Sequence, residues 1–218
     1  MTAVITGSNR GIGLEFCKQL KERGYEVFAL CRSFSDELKK LNIQTIDNID
    51  VRDINSLNNV KDRINKPIDL LINNAGIFRQ DDFRSLNFKT LQEQIDVNSL
   101  GPLKVILALL PLIKKNTKVA MITSRLGSIE DTTEPIYYGY RTSKAALNMI
   151  SKILSIELKP KGVSVGIFHP GYVKTDMTNH KGDLEPNTSV KNMLDLIEKL
   201  NLENSGTFWH ENGSIIPW

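Results

Sequence analysis

The sequence contains few of the side chains that form disulfides and metal sites. It has two cysteines, Cys17 and Cys31, which form no close pair, and three histidines, His169, His180 and His210, which lack the spacing of metal ligands. We therefore expect no metal site, and we expect buried thiols in a protein of a reducing compartment.

Long apolar runs and strongly basic stretches are missing as well. No apolar run reaches the length of a membrane span, and Met1 leads almost directly into the apolar residues of a first strand, which leaves no room for a signal peptide. The formal net charge is only +3, and no basic run is interleaved with aromatic residues. We expect a cytoplasmic protein that binds neither a membrane nor a nucleic acid.

The length and the pattern of apolar residues predict one α/β domain. Runs typical of strands occur at 3–6, 25–31, 43–49, 69–73, 118–123, 163–168 and 206–209, and helical patterns separate most of them. Strands that alternate with helices predict a doubly wound, Rossmann-like parallel sheet of about seven strands with helices on both faces. No repeat or linker divides the 218 residues, so we expect a single domain over 1–218.

A glycine-rich turn, TGSNRGIG at 6–13, connects the first strand to an amphipathic helix. Glycines let the backbone approach a ligand, and the free N–H groups of a helix start attract anions. The spacing of Gly7, Gly11 and Gly13 is T-G-x-x-x-G-x-G and differs from the standard G-x-G-x-x-G fingerprint. The turn could bind nothing, but its position after the first strand favours the phosphates of a dinucleotide.

Two arginines indicate which dinucleotide is bound. Arg32 stands at the end of the second strand, 19 residues after Gly13, where an acidic residue would bind a ribose 2′-hydroxyl and an arginine suits a 2′-phosphate. Arg10 adds a second cation within the glycine turn, and the first acidic residue is Asp36. These residues favour NADP(H) over NAD(H); the alternative is two solvated arginines.

A tyrosine and a lysine four residues apart, Tyr140 and Lys144, lie in a stretch of good helix formers. Residues at i and i+4 share a helix face, and a cation beside a phenol lowers its pKa from about 10. Tyr140 is therefore a candidate general acid or base, unless the pair is a chance arrangement on a solvated face. The rival Tyr137 precedes the expected helix, and its partner Arg141 could not relay a proton.

Two further positions have candidate roles near the same strand ends. The helix predicted over 88–114 contains Pro102, which cannot donate to the carbonyl of Asn98, so we expect a kink and a free acceptor there. The acceptor could hold a water, or the kink could serve packing alone. Ser124 follows the fifth strand directly, and Ser128 is a possible decoy.

The motifs T-G-x-x-x-G-I-G, N-N-A-G, N-x-x-G, S-x-x-G, Y-x-x-x-K and P-G-x-x-x-T follow one another over essentially the whole chain. In this order they resemble the classical short-chain dehydrogenases/reductases. S-R-x-G-S-I, Y-R-x-S-K-A-A-L-N and a final P-W resemble the small C-factor and sniffer-like carbonyl reductases within that family. The chain is shorter than most members after Thr175, and it has three extra residues between Ser124 and Tyr140.

The resemblance implies a catalytic tetrad of Asn98, Ser124, Tyr140 and Lys144. Tyr140 would donate a proton to a carbonyl oxygen that Ser124 positions, while Lys144 would bind the nicotinamide ribose and lower the tyrosine pKa. The Asn98 carbonyl would hold a water that feeds the relay. The implied cofactor-binding residues also include Asp50 at adenine, Asn74 on the adenosine side and Thr175 at the nicotinamide amide, with Gly7, Asn9, Arg10, Gly11, Ile12, Gly13 and Arg32 along the phosphates and adenosine.

The activity implied is NADPH-dependent reduction of an aldehyde, ketone or quinone to an alcohol. The alternative is a dinucleotide-binding signalling protein of the C-factor type with little turnover. A sugar epimerase or dehydratase would need a larger C-terminal region. We expect a homodimer through apolar residues of the helices at 88–114 and 140–158, and a largely apolar substrate pocket. The residues proposed for the dimer contact are Leu107, Leu110, Ile150 and Ile153, and those for the pocket are Phe78, Leu126, Tyr138, Tyr172 and Met177.

Overall fold

A single parallel sheet forms the centre of the computed structural model, which describes residues 1–218. Its order is β3-β2-β1-β4-β5-β6-β7, and every neighbouring pair runs parallel. The predicted doubly wound, Rossmann-like sheet is thus confirmed. The strands are β1 Thr2–Thr6, β2 Glu26–Leu30, β3 Gln44–Ile46, β4 Ile68–Asn73, β5 Ile113–Ile122, β6 Ser164–His169 and β7 Phe208–His210.

Eight α-helices connect and cover the strands: α1 Gly11–Glu22, α2 Asp36–Lys40, α3 Ile54–Leu57, α4 Val60–Ile64, α5 Phe88–Ile95, α6 Gly101–Leu109, α7 Tyr138–Glu157 and α8 Pro186–Lys199. The stretch between β3 and β4 forms two short helices, α3 and α4, and not one. Asn58 and Asn59 stand at the division, and asparagine side chains favour helix ends over helix interiors.

The core consists of two apolar layers, one on each face of the sheet. Alternate residues of β1 show the division, since Ala3 and Ile5 pack on the side of α1 and α8 while Val4 faces α6 and α7. Cys17 and Cys31 are free and buried in the first of these layers, as predicted. Helices therefore cover both faces and leave the strand ends to form the edge where a ligand can bind.

The long helical stretch before β5 is interrupted where Pro102 predicts a kink. A π-helical turn, Asp96–Leu100, separates α5 from α6, and Pro102 is the second residue of α6. Such turns interrupt helices at functional sites and next to prolines. The stretch ends at Leu112, and β5 begins at Ile113, five residues earlier than predicted, because Ile113 pairs with Ile68 across an irregularity in the register.

One expectation about apolar segments is wrong. The continuous helical stretch Phe88–Leu112 spans 25 residues and is, by length and composition, long and apolar enough to cross a membrane. The stretch contains no unbroken apolar run of that length, because polar residues are interspersed along it. Its Val105, Ile106 and Leu109 are buried against the sheet, as on the core-facing side of an amphipathic helix.

Candidate active site

A cleft opens at the carboxyl ends of the strands, next to β1 and β4, where the chain reverses the direction in which strands are added. Sequence reasoning did not single out Arg52 or Asp176, which also line it. All the residues predicted to bind the cofactor line this one cleft: Gly7, Asn9, Arg10, Gly11, Ile12, Gly13, Arg32, Asp50, Asn74, Tyr140, Lys144 and Thr175.

The glycine turn fits closely against the residues that follow β4. Gly7 has φ +66°, and a Cβ there would lie 2.8 Å from the Cα of Ala75, so only glycine fits without strain. The Asn74 side-chain amide donates to the carbonyls of Thr6 and Gly7 at 3.1 Å each. Asn74 therefore fixes the shape of the turn from the neighbouring strand.

The start of α1 is open to the cleft. Its N-cap residue, Arg10, has extended backbone (φ −163°), and no side chain caps the helix. The unpaired N–H groups of a helix start and the helix dipole together favour an anion. The Arg10 side chain is 70% exposed and lies 3.5 Å from Asp176 across the cleft mouth, which leaves it able to reach a phosphate.

The other end of the phosphate region contains Arg32, Asp50 and Arg52. The Arg52 guanidinium donates to both carboxylate oxygens of Asp50, the shortest contact being 2.6 Å. These hydrogen bonds are the main reason that the pKa of Asp50 is lowered. The only acidic side chain that lines this end of the cleft is therefore neutralised by Arg52, and the two arginines make the lining basic.

The opposite end of the cleft contains the predicted catalytic side chains. Tyr140 and Lys144 project from α7, and the Lys144 Nζ lies 5.7 Å from the centre of the Tyr140 ring. Ser124 follows β5 and interacts with the Tyr140 hydroxyl. Ser128 instead donates to the carbonyl of Trp218 at 3.2 Å, so it supports the loop. Neither serine lines the cleft itself, and Ser124 is distinguished by its position next to Tyr140.

The expected direction of the Tyr140 pKa shift is wrong. Burial raises the pKa of Tyr140 to about 12, and the neighbouring Ser124 hydroxyl lowers it only in part. Burial also lowers the pKa of Lys144 to about 7, although its Nζ donates to the Ile122 carbonyl at 2.9 Å. A low-dielectric site disfavours both charged forms, and this outweighs the attraction between phenolate and ammonium.

Asn98 lies behind the cleft, within the π-helical turn, and is fully buried. Its side chain accepts from the Ile77 N–H at 2.8 Å and donates to the Ile77 carbonyl at 2.9 Å and the Ser143 hydroxyl at 3.0 Å. Asn98 thus joins the segment after β4 to α7. Gly76 separates it from Lys144, since a Cβ at Gly76 would lie 3.3 Å from Asn98 Oδ1 and 3.8 Å from Lys144 Nζ.

The apolar residues predicted to surround the substrate do not all face the cleft. Met177 lines it, and the Phe78 ring packs edge-on against Tyr140 with centroids 5.0 Å apart. Leu126 and Tyr138 line a separate pocket together with Arg141, so their assignment is wrong. Tyr138 is two residues before Tyr140, which turns it to the opposite side of α7.

Comparisons with known proteins give the family. The sequence model of the short chain dehydrogenase family matches residues 1–186. The chain is 34% identical over 224 residues to 1-hydroxy-2-glutathionyl-2-methyl-3-butene dehydrogenase of Rhodococcus sp. (strain AD45), covering 100% of this chain and 99% of the relative. It is 39% identical over 155 residues to the C-signal of Myxococcus xanthus, covering 70% of this chain and 93% of the relative.

A solved structure agrees with these relatives. The crystal structure of the NADPH-bound carbonyl reductase from chicken fatty liver matches with a TM-score of 0.91 and 30% identity, covering 100% of this chain and 98% of that one. The glycine turn, the serine, the tyrosine and the lysine thus lie at one sheet edge in a chain that is similar to these proteins over its whole length. The chain belongs to the short-chain dehydrogenase/reductase family and is a carbonyl reductase-like oxidoreductase.

Proposed function

We propose that this protein reduces an aldehyde, ketone or quinone to an alcohol, with NADPH as hydride donor and Tyr140 as proton donor. The observation that carries the proposal is the single cleft, which joins an uncapped helix start and three arginines at one end to Tyr140 and Lys144 at the other, with Ser124 next to Tyr140. The same cleft can therefore hold an anionic dinucleotide and place a carbonyl next to a phenol.

The residues at the adenosine end fit a 2′-phosphate better than a 2′-hydroxyl. Arg32 follows β2 at the position that decides this preference. No acidic side chain replaces it there, and the Asp50 carboxylate is already paired with Arg52. The NADPH bound to the chicken carbonyl reductase supports the same preference.

In this reaction, Ser124, Tyr140 and Lys144 each have a role that fits their position. The nicotinamide, when bound, supplies the hydride that forms the new C–H bond at the carbonyl carbon. The Ser124 hydroxyl donates a hydrogen bond to the carbonyl oxygen, and Tyr140 donates the proton that completes the alcohol. With a pKa of about 12, Tyr140 is protonated at neutral pH, and Lys144, with a pKa of about 7, can return the proton to it.

The substrate in this proposal is largely apolar around its carbonyl group, because Phe78 packs against Tyr140 and Met177 lines the same cleft. The test is a turnover assay with NADPH and a panel of aromatic aldehydes, ketones, quinones and charged sugars. We expect NADPH oxidation with the apolar carbonyl compounds. A clear preference for charged sugars would contradict the substrate class, and the absence of all turnover would contradict the activity.

A second candidate function is signalling through dinucleotide binding with little turnover. The observation in its favour is the 39% identity to the C-signal of Myxococcus xanthus. The buried Lys144 beside Tyr140 argues for the enzyme, since burying an ammonium is costly and is common where a reaction uses it. Full binding of NADPH without oxidation by any carbonyl compound would favour the signalling role.

The proposed assembly is a homodimer, and the proposed location is the cytoplasm. On the helices expected to pair, the exposed fractions are 56% for Leu107, 63% for Met149, 56% for Ile153 and 66% for Ile156. Met149, Ile153 and Ile156 share one face of α7 by their spacing, and an exposed apolar patch indicates an interaction site. Leu110 and Ile150, also expected at the contact, instead pack against the core. Light scattering at micromolar concentration should give twice the 24.6 kDa chain mass; a monomer mass would contradict the dimer.

A further inference from the structure

The helix that carries Tyr140 and Lys144 is held at its start by a distant part of the chain. Tyr137, the N-cap residue of α7, contributes no side-chain cap. The buried Asp81 supplies it, since its Oδ2 accepts a 3.0 Å hydrogen bond from the Gly139 amide. We propose that Asp81 is a positioning residue for Tyr140, an inference that rests on the carbonyl reduction proposed above.

A second contact joins the same two segments. The Tyr137 N–H donates to the Asp81 carbonyl at 2.9 Å, and Asp82 forms an isolated bridge with Ile136. Tyr137 has φ 61° and ψ 45°, a left-handed conformation that is uncommon for a bulky side chain and persists where the surroundings impose it. The segment around Asp81 thus determines where the backbone enters α7.

Gly139 packs so closely against this segment that no side chain fits at its position. A Cβ at Gly139 would overlap the side-chain nitrogen of Gln94 and lie 2.9 Å from the Asp81 Oδ2. Gln94 is fully buried, and its Oε1 accepts from the Arg79 N–H at 2.9 Å. The residue before Tyr140 is therefore enclosed by two polar side chains from other elements.

The contact also buries polar atoms at a cost. The second carboxylate oxygen of Asp81 and the side-chain nitrogen of Gln94 are buried without a hydrogen-bond partner. Such atoms reduce stability, and natural proteins tolerate them mainly at sites where function imposes the arrangement. An apolar contact would stabilise this junction better, so precise placement of the α7 start is the more consistent explanation.

The link from Asp81 to the reacting group is short. Gly139 immediately precedes Tyr140, and Phe78, three residues before Asp81, packs its ring against the Tyr140 ring at an interplanar angle of 90°. A shift of this segment therefore moves the phenol through both its backbone and its ring contact. A misplacement of about 1 Å can lower a rate about 100-fold.

The test combines kinetics with a matched control. We expect Asp81→Ala to lower kcat roughly 10- to 100-fold with little change in the KM for NADPH, while Asp81→Asn, which keeps an acceptor oxygen, stays near the parent. The control is Asp82→Ala, because Asp82 is exposed and its carboxylate accepts only from Arg84 and Ser85. Gly139→Ala disturbs the same contact without removing Asp81 and should lower kcat likewise.

A double-mutant cycle separates positioning from general destabilisation. If Asp81 acts through Tyr140, the Asp81→Ala/Tyr140→Phe double variant should be no slower than Tyr140→Phe alone. Losses that multiply would overturn the inference. Suppose that the parent protein turns over, that Tyr140→Phe lowers kcat and that Asp81→Ala does not: the inference about Asp81 then fails, and the proposed function stands. A parent protein without any turnover overturns both.

Amide hydrogen exchange gives a readout that does not require activity. The Gly139 amide should exchange at least about tenfold faster in Asp81→Ala than in the parent or Asp82→Ala, because its acceptor is gone. Amides in the second half of α7 should be unchanged. Unaltered exchange at Gly139 would overturn the assignment of Asp81 as the cap.

Discussion

The two helices that build the cleft begin in opposite ways. α1 starts at the glycine turn without a side-chain cap, and its N–H groups face the cleft. α7 starts against the buried Asp81 carboxylate, and Tyr140 follows within its first turn. An open helix start can bind an anion, whereas a capped start fixes the side chains that follow it. In the proposed function, the start of α1 therefore binds the cofactor, and the start of α7 positions the proton donor.

The two ends also differ in solvation. Arg10 at the start of α1 is 70% exposed, so its charge is screened and cheap to maintain. Lys144 on α7 is only 4% exposed, and the same positive charge is disfavoured there. Variants at the two ends should therefore affect different quantities, namely cofactor affinity at one end and kcat or stability at the other.

The largest expected effect is at the capped helix. Tyr140→Phe removes one oxygen, so the variant should fold and bind NADPH normally while kcat falls by roughly 10²–10⁴. The matched controls are Tyr137→Phe and Tyr138→Phe, whose phenols have no lysine four residues on. Steady-state kinetics of the three variants on one carbonyl compound decides the assignment. Near-parent kcat in Tyr140→Phe would show that another group donates the proton.

The next effect is at the open end of the cleft. Arg32→Asp should raise the KM for NADPH by roughly 10- to 100-fold, the loss of a charge-assisted pair, and should spare NADH. The value of kcat should change little, because Arg32 is remote from Tyr140 along the cleft. Equal affinities of the parent for NADPH and NADH would contradict the role of Arg32.

A smaller effect concerns stability at the capped helix. The pKa of Lys144 is about 7 in the folded protein and about 10.4 in an unfolded chain. As the pH falls from about 10 to about 7, the unfolded chain gains a proton that the folded protein does not bind, so stability decreases. Lys144→Met should raise the free energy of unfolding by about 1–3 kcal/mol at pH 7, after the loss of the hydrogen bond to the Ile122 carbonyl is included. The increase should be smaller at pH 10.

Urea unfolding at the two pH values measures this effect. The matched control is Lys152→Met on the same helix, since Lys152 is exposed and its ammonium contacts only the Gly206 carbonyl at 3.4 Å. The control should show no such pH dependence. The same gain in stability at pH 7 and pH 10 for Lys144→Met would contradict a buried, mostly neutral lysine.

Much of this architecture could be predicted from the sequence because it depends on local pattern. The motif residues Gly7, Asn74 and Ser124 all lie at or just beyond strand ends, and a parallel sheet brings those ends to one edge. That is why residues far apart in the chain were expected around one cleft. Pro102 likewise predicted where the helix is interrupted, because a proline disturbs only the neighbouring turn of its own helix.

The rest depends on contacts that no local pattern encodes. Asp81 caps a helix that begins 57 residues later, and nothing around Asp81 marks it as a cap for that helix. The sign of the Tyr140 pKa shift follows from burial, which is decided by packing, whereas the i, i+4 spacing with Lys144 predicts only the attraction between charges. Arg52 was not predicted as a cleft residue, because the sequence does not show that its guanidinium forms an ion pair with Asp50.

The most direct measurement follows the atoms of the proposed reaction. The parent protein is given NADPH deuterated at the transferable position of the nicotinamide, together with an aromatic aldehyde, and the product is analysed by mass spectrometry. We predict one alcohol molecule for each NADPH consumed, with one deuterium on its carbinol carbon, and the same product at a much lower rate from Tyr140→Phe. Tight binding of NADPH with no deuterated alcohol formed from any carbonyl compound would contradict the account.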